Sequence, residues 1–322
     1  MNHRPEIHLH INPRDLQGWR GRARLALFTR LAEMCEARNL TFRAVARTPE
    51  EMQRGHVGTS DGNVHVVENG RVQGDGWLNT AIAYLLGFWQ MDPRGVHAES
   101  AASRAIFEAG SVDSAAANRF FDGLCARLVK RRRSRFQQPR EVAQDLPQGA
   151  VALFLQGPSA FFMGRCSLAM DELILAVAQG AGGRPVLVKP HPQVLEEGRA
   201  AVDRAIAKGA KVQMTEANVH DVLAAAAVTV SVNSAVAMEG FLHRKPAILF
   251  GLSGFPSLVT HATGAADFPG ALETALATDW PYPEMVHWYF SRHALELAAP
   301  DFEDRAFEAF ARVGVPRERF GL

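Results

Sequence analysis

The chain contains few cysteines: Cys35, Cys125 and Cys166 are the three among 322 residues. They lie far apart in the sequence and show no paired spacing, so a disulfide framework is not expected. This cysteine usage is typical of proteins from a reducing cytosol.

Long apolar runs are also missing. No stretch approaches the roughly 18 uninterrupted apolar residues of a membrane-spanning helix, and the apolar segment from Ile82 to Trp89 is too short. The polar start of the chain, Met1 to Glu6, lacks the apolar core of a signal peptide. We therefore expect a cytoplasmic protein.

The chain also lacks an excess of positive or negative charge. Lys and Arg number 35 against 34 Asp and Glu, a net charge of +1, so no overall field recruits nucleic acid and none is expected as a partner. The local exception is the basic run from Lys130 to Arg135 at the end of a predicted helix. It is either a solvated helix end or a segment that attracts the protein to the anionic inner face of the cell membrane.

The length of the chain predicts two domains, since a single core rarely grows this large. The polar, proline-containing stretch 137–149 is typical of a linker. We predict an amino-terminal α/β domain over 1–140, a carboxyl-terminal α/β domain over 150–285, and terminal helices over 286–322 that pack back on the first domain.

Strand and helix patterns alternate strictly after Val151, with strands predicted at 151–155, 185–188, 228–231 and 247–250. Repeated strand–helix units of this kind predict a parallel, doubly wound sheet. In the first half, 6–11, 40–45 and 64–68 are predicted strands, and 76–87 has helical spacing. The fold class is therefore α/β, with two Rossmann-like domains.

Polar residues follow two apolar segments of the second half. Because the carboxyl ends of parallel strands form a ligand crevice, these residues are candidates for binding a phosphate-bearing ligand. Prolines on both sides of the histidine fix the first turn. The candidates are Lys189, His191 and Pro192 after the first segment, and Ser231, Asn233 and Ser234 after the second.

Two further residues are candidates in the same domain. Glu239 lies in the helix after the Ser-Asn-Ser turn and is suited to accept ribose hydroxyls, although a solvated carboxylate explains it equally well. Gln156 opens the loop Gln156–Ser159 at another strand end, where Gly157 allows a ligand to approach closely. Glycine and proline are common in strand–helix loops of every function.

Two sets of residues in the first half also bear on chemistry. Asp92 lies beside aromatic residues, which suits an acid or base with a raised pKa, but it also precedes Pro93 and suits a turn. His8 and His10 alternate on one strand and share a face. Without a third ligand of suitable spacing, we predict no metal site there.

The segments Val186–Pro192 and Val228–Gly251 resemble the bacterial capsule polysaccharide synthesis family. That family includes retaining β-Kdo transferases of GT-B architecture that use CMP-Kdo, and the resemblance covers residues 150–255. It implies that the CMP moiety binds the carboxyl-terminal domain and that the acceptor and the catalytic carboxylate belong to the amino-terminal domain. The matching positions are His191-Pro192, Ser231, Ser234, Glu239 and Lys245-Pro246.

We therefore predict a metal-independent GT-B glycosyltransferase without a cofactor. It would transfer Kdo or a related acidic sugar from a CMP-linked donor to a surface polysaccharide or glycolipid, with His191 and Asp92 as catalytic residues. Two alternatives stay open: a nucleotide-sugar epimerase on the same scaffold, and a non-catalytic nucleotide-binding protein of capsule assembly.

Overall fold

The computed structural model describes residues 4–157 and 166–322. The chain forms two compact units, one comprising residues up to Ala105 together with Tyr289–Leu322, and the other Ile106–Trp288. The division therefore falls before the second helix, whereas the sequence pattern placed it in the stretch 137–149. That stretch is polar because it forms hydrogen bonds within the second unit, as described below.

The described residues contain these strands: β1 (Ile7–Ile11), β2 (Phe42–Ala46), β3 (Val64–Glu68), β4 (Trp77–Ile82), β5 (Phe88–Asp92), β6 (Ala150–Phe154), β7 (Val186–Lys189), β8 (Gln213–Met214), β9 (Ala226–Ser231), β10 (Ala247–Leu249), β11 (Thr260–His261) and β12 (Leu295–Glu296). The helices are α1 (Ala26–Ala37), α2 (Ser114–Leu124), α3 (Met170–Gly180), α4 (Leu195–Ala207), α5 (Val219–Ala225), α6 (Val236–Leu242), α7 (Phe268–Ala277), α8 (Tyr282–His293) and α9 (Phe302–Ala311).

The first unit is built on a six-stranded sheet of order β12-β5-β4-β3-β1-β2. Strands β1 to β4 are parallel, and β5 and β12 run antiparallel to their neighbours. Alternate residues of β1 point to opposite faces. Ile7, Leu9 and Ile11 are buried in a core with α1 and α9, to which α9 contributes Phe302, Phe307 and Phe310.

The prediction of a helix over 76–87 is wrong, because Trp77–Ile82 is strand β4 in the middle of this sheet. Five of its six residues are buried. A strand covered on both faces reads as a continuous apolar run, which periodicity alone cannot separate from a buried helix.

The second unit has a six-stranded sheet of order β11-β10-β9-β6-β7-β8, in which every pairing is parallel. On one face, Val151 and Leu153 pack with residues of α3, α4 and α7. On the other face, Ala152 and Phe154 pack with residues of α5 and α6. Helices therefore cover both faces, and the predicted doubly wound α/β architecture is confirmed.

Disulfides and membrane-spanning helices are two features that the composition argues against. Cys35, Cys125 and Cys166 are all free thiols. Across residues 4–157 and 166–322, no helix combines the length and the apolar character that crossing a bilayer requires.

Candidate functional site

The strand order of the second sheet brings the predicted ligand residues to one edge. Strand β6 lies between β9 and β7, so the chain direction across the sheet reverses between β6 and β9. Ligands of open α/β sheets bind at such a switch point, outside the carboxyl ends of the strands. Neighbouring strands are about 4.8 Å apart, which places the turns after β7 and β9 roughly 10 Å from each other.

Gln156 and Asn233 join the two loops at the switch point. The side-chain amide of Gln156 donates from Nε2 to Oδ1 of Asn233 (2.8 Å), and the backbone N–H of Asn233 donates to Oε1 of Gln156 (2.7 Å). Asn233 also donates from Nδ2 to the carbonyl oxygen of Leu252 (3.1 Å), in the loop after β10. Asn233 therefore fixes the ends of three adjacent strands. Pro158 and Ser159, which follow in the Gln156 loop, lie outside the described residues.

The hydroxyls of Ser231 and Ser234 organise the turn before α6. The backbone N–H of Ser234 donates to Oγ of Ser231 (3.1 Å), and that of Val236 donates to Oγ of Ser234 (3.2 Å). These two N–H groups are thus bonded inside the turn and do not point into the crevice. A hydroxyl that accepts one bond still carries its own hydrogen, so Ser234 can act as a donor. Ser231 is buried.

Lys189 ends β7 and is 8% exposed. Its Nζ donates to the carbonyl oxygens of Ala217 (2.7 Å) and Glu216 (3.3 Å), which belong to the loop after β8. Burial lowers the pKa of this ammonium, and the charge of Glu216 opposes that shift. Lys189 thus holds the loop after β8 in place. Its positive charge acts on the crevice only as an electrostatic potential from a distance.

His191 follows β7 in a turn held by two prolines. Its Nδ1 accepts from the backbone N–H of Gln193 (3.2 Å), so the ring proton of the neutral imidazole is on Nε2. Burial, with the charges of Arg135 and Lys189, lowers the pKa of His191. The side chain is therefore a neutral donor at neutral pH. Pro192 is exposed at the end of this turn.

The turn is also held from the side of helix α4. A Cβ atom at Gly198 would lie 2.7 Å from the Cβ of Pro190, closer than real contacts allow. Only glycine at this position lets the first turn of α4 pack directly on the proline. The position of His191 is therefore set by local backbone packing as well as by its own hydrogen bond.

Glu239 is in the first turn of α6 and is 9% exposed. Burial raises the pKa of its carboxyl to about 7, although a hydrogen bond with the side chain of Ser134 works in the opposite direction. The predicted solvated carboxylate is thus wrong for this residue. The predicted ribose contact stays a prediction, and a ligand would have to reach the carboxyl beside Ser134.

Residues 132–143 form a segment, the strap, that is bound to the start of α5. Asp221 accepts from Arg132 and from the backbone N–H of Ala143, and Val219 donates its N–H to Oε1 of Gln138. The sequence pattern assigned these residues to a helix end and a linker. The structure instead shows the helix ending at Leu124, continuing as one π-helical turn over Cys125–Val129, and then giving way to the strap.

The strap brings two residues to His191 that the sequence pattern did not connect with it. The ring centroid of Phe136 is 4.9 Å from that of His191, in an edge-on arrangement. Arg135 is close enough for its charge to depress the histidine's pKa. These residues are far from His191 in the chain, and no local spacing signals the contact. Lys130, Arg131 and Arg133 stay exposed.

Asp92 lies in the first unit at the end of β5. Its Oδ1 accepts from the backbone N–H groups of Arg94 (2.8 Å) and Gly95 (3.3 Å), and its Oδ2 accepts from that of Ala101 (2.8 Å). Burial raises its pKa, against the effect of these bonds. Because β5 is antiparallel, Asp92 pairs with Asn79 near the start of β4 and not with the end of that strand. The carboxylate holds the loop 92–101.

His8 and His10 lie on one face of β1, as predicted, and a third histidine that the sequence spacing did not reveal lies beside them. His65 of β3 is the register partner of His8 on the neighbouring strand, which puts it on the same face. One ring nitrogen of each of the three histidines lies within 4.8 Å of the others. The spacing rule failed because the third histidine comes from a parallel strand far along the chain.

Comparisons with known proteins bear on the fold. Neither the protein-family models nor the curated proteins contain a match to the chain. Among solved structures, the chain is similar to KpsC, beta Kdo 2,7 transferase, of Thermosulfurimonas dismutans, with 12% identity over 96% of this chain and 99% of that one, at a TM-score of 0.55. It is also similar to KpsC, beta Kdo 2,4 transferase, of the same organism, with 14% identity over 88% and 90% of the two chains, at a TM-score of 0.51. The predicted likeness to the fold of β-Kdo transferases is confirmed.

Proposed function

We propose that the chain is a glycosyltransferase that moves a sugar from a nucleotide-linked donor to a glycan acceptor. The observation that carries this proposal is the convergence of the turns after β6, β7 and β9 at the switch point of the second sheet. The fold shared with two solved Kdo transferases supports it. A fold hosts many activities, so the site carries more weight than the fold.

The donor in this proposal is Kdo or a related acidic sugar linked to CMP. The His191-Pro192 turn and the Ser231–Ser234 turn support it, because they resemble the donor-binding segments of the capsule polysaccharide synthesis family. The phosphate would lie between His191 and Ser234, with Asn233 and Gln156 holding the floor of the crevice. Glu239 would accept the ribose hydroxyls, and no cofactor is part of the proposal.

Transfer breaks the bond between the sugar's anomeric carbon and the phosphate oxygen, and negative charge develops on the departing CMP. The Nε2–H of His191 would donate to that oxygen, while Arg135 and Lys189 add positive potential. Such fixed donors stabilise charge as it forms. The acceptor hydroxyl oxygen forms the new bond to the anomeric carbon, its proton passes to solvent water, and CMP leaves as the anion.

The acceptor would be a surface polysaccharide or a glycolipid under construction at the cytoplasmic face of the membrane. The exposed Lys130, Arg131 and Arg133 support a peripheral contact with anionic lipid, at about 1 kcal/mol for each basic residue near the surface. Arg132 is not available for that contact because it pairs with Asp221.

A panel of CMP, UDP, GDP and ADP tests the donor class. We expect CMP alone to raise the thermal unfolding midpoint, since a ligand at 100 times its Kd adds about 2.7 kcal/mol to the stability of the state that binds it. Thermal unfolding of the full chain with each nucleotide is the measurement. A response to UDP would favour the epimerase or another transferase class, and a response to none would contradict the proposed site.

A non-catalytic nucleotide-binding protein of capsule assembly is the second candidate. It is favoured by one observation: the carboxylate of Asp92, predicted to act on the sugar, is bonded to three backbone N–H groups. Hydrolysis of CMP-Kdo without acceptor separates the two, because an enzyme releases free sugar whereas a binding protein leaves the donor intact.

Replacing Asp92 with asparagine tests its role directly. The amide nitrogen of the variant would face a backbone N–H group, and because both are donors at least one hydrogen bond is lost. We therefore expect the free energy of unfolding to fall by about 1–3 kcal/mol. Affinity for CMP should be unchanged, as measured by calorimetric titration. Full loss of sugar transfer at unchanged stability and CMP affinity would instead identify Asp92 as the catalytic carboxylate.

A further inference from the structure

The three histidines on one face of β1 and β3 share an arrangement that the proposed transfer reaction does not use. Each ring has one nitrogen near a carboxylate: Nε2 of His8 is 3.3 Å from Glu6, and Nδ1 of His10 is 2.7 Å from Glu51. Nε2 of His65 is 3.0 Å from Oδ1 of Asp61. The other nitrogen of each ring is left for a different partner.

The carboxylates determine where the ring protons are. Asp61 accepts a hydrogen bond from Nε2 of His65, which therefore carries a proton. The carboxylate of Glu51 lies 2.7 Å from Nδ1 of His10 and would repel a lone pair there, so this nitrogen carries a proton as well.

The remaining nitrogens of His10 and His65 then face each other with lone pairs. Nε2 of His10 is 3.0 Å from Nδ1 of His65. Two lone pairs at this distance repel unless a positive species lies between them. That species is either an additional proton or a metal ion.

A second histidine pair in the chain shows that the contact alone does not require a metal ion. Nδ1 of His220 is 2.9 Å from Nε2 of His243, and Nε2 of His220 is 3.0 Å from the carbonyl oxygen of Arg133. The carbonyl fixes the proton of His220 on Nε2, which leaves Nδ1 to accept from the N–H of His243. This pair is satisfied by its own protons, whereas the His10–His65 pair is not.

The position of the third histidine, His8, favours a metal ion over an additional proton. His8 adds a ring nitrogen within 4.8 Å of the other two, and in residues 4–157 and 166–322 this is the one cluster of three or more potential metal ligands. The ligand nitrogens of a tetrahedral zinc ion are about 3.3 Å apart when each Zn–N bond is about 2.0–2.1 Å, close to the spacing of His10 and His65. Carboxylates on the distal nitrogens are the usual orienting partners of metal-bound histidines.

We propose that His8, His10 and His65 bind one divalent transition-metal ion, with zinc as the best match for three imidazole ligands. The ion would link β1 to β3 and, through Asp61, restrain the loop 57–63 that covers them.

The surroundings fix the ligands in place before any ion binds. The ring of His65 stacks on the indole of Trp77 at 4.0 Å between centroids, with 9° between the planes. Nε1 of Trp77 donates to the carbonyl oxygen of Thr59 (3.0 Å), and a Cβ at Gly58 would collide with the indole. The covering loop therefore packs flat on the ring that supports His65.

Metal binding by the purified full-length chain, stripped with a chelator and dialysed, tests the proposal. Zinc is titrated in competition with a chromophoric chelator, and cobalt is titrated by its visible absorption. We expect one equivalent of metal per chain, the absorption bands of four-coordinate cobalt, and a higher unfolding midpoint with zinc. Absence of binding by the folded wild-type chain would overturn the proposal and leave a shared proton between His10 and His65.

Variants separate this site from adventitious binding. His8→Gln, on the more accessible side of the cluster, should weaken zinc binding at least 10-fold, as should His65→Gln if that variant folds. His243→Gln removes one member of the second histidine pair and should bind zinc like the wild type. Equal zinc affinity of His8→Gln and the wild type would overturn the proposal, whatever the outcome for His65→Gln.

Discussion

Replacing His191 with alanine is expected to weaken the binding of CMP by about 10- to 100-fold. A hydrogen bond to a charged phosphate contributes about 1.5–3 kcal/mol, and each 1.4 kcal/mol is a factor of ten in Kd. His191 supplies that bond as a neutral donor, because Gln193 occupies its Nδ1 and leaves the proton on Nε2. Calorimetric titration of the variant and the wild type with CMP is the measurement.

Two variants make the His191 result specific. His191→Gln places an amide N–H near the position of Nε2 and should recover part of the affinity. His261→Ala removes an exposed histidine from β11 of the same sheet and should bind CMP like the wild type. If His191→Ala binds CMP with unaltered affinity, the proposed donor site is wrong, since the turn after β7 is its centre.

Glu239→Gln is expected to make the stability of the protein markedly less dependent on pH. Burial raises the pKa of the Glu239 carboxyl to about 7, against an ordinary value of 4.5. Between these values the unfolded chain releases the proton while the folded chain keeps it. The contribution of Glu239 to stability therefore falls as the pH rises through this window, by about 3 kcal/mol in total.

Glutamine does not ionise and retains an oxygen that can accept from the hydroxyl of Ser134. We therefore expect Glu239→Gln to gain about 3 kcal/mol relative to the wild type between about pH 4.5 and pH 8. Thermal unfolding of both chains without nucleotide, at several pH values, measures the difference. Glu273→Gln, at an exposed position of α7, is the control and should follow the wild type. A constant difference between Glu239→Gln and the wild type would contradict a buried, protonated Glu239.

The second sheet could be predicted because each of its four central segments has a local sequence pattern typical of a buried strand. The apolar segments around Val151, Val186, Val228 and Ala247 are short and separated by helical patterns, and the structure has strands at each. Their parallel order then places His191 and Asn233 at one edge without further information. Local patterns do not show which partner each polar group bonds to. Lys189, for example, donates to the carbonyl oxygens of a neighbouring loop.

The contacts that escaped prediction are those between segments distant in the chain. His65 joins His8 only through the register of β1 and β3, and Phe136 reaches His191 only because the strap is bound to α5. The strap reads as a linker since its residues are polar. The polar groups of the strap form hydrogen bonds with the start of α5. Composition alone does not distinguish such residues from residues that are solvated by water.

The first unit is assembled from segments on both sides of residues 106–288. During synthesis on a ribosome, β1 to β5 emerge before residues 106–288, but β12 and the phenylalanines of α9 that fill their core emerge after them. The intervening residues 106–288 have a core of their own and can fold while the first unit still lacks its final pieces. A nonsense mutation between residue 288 and α9 would therefore damage the part of the first unit that was already made, and would expose it to chaperones and proteases.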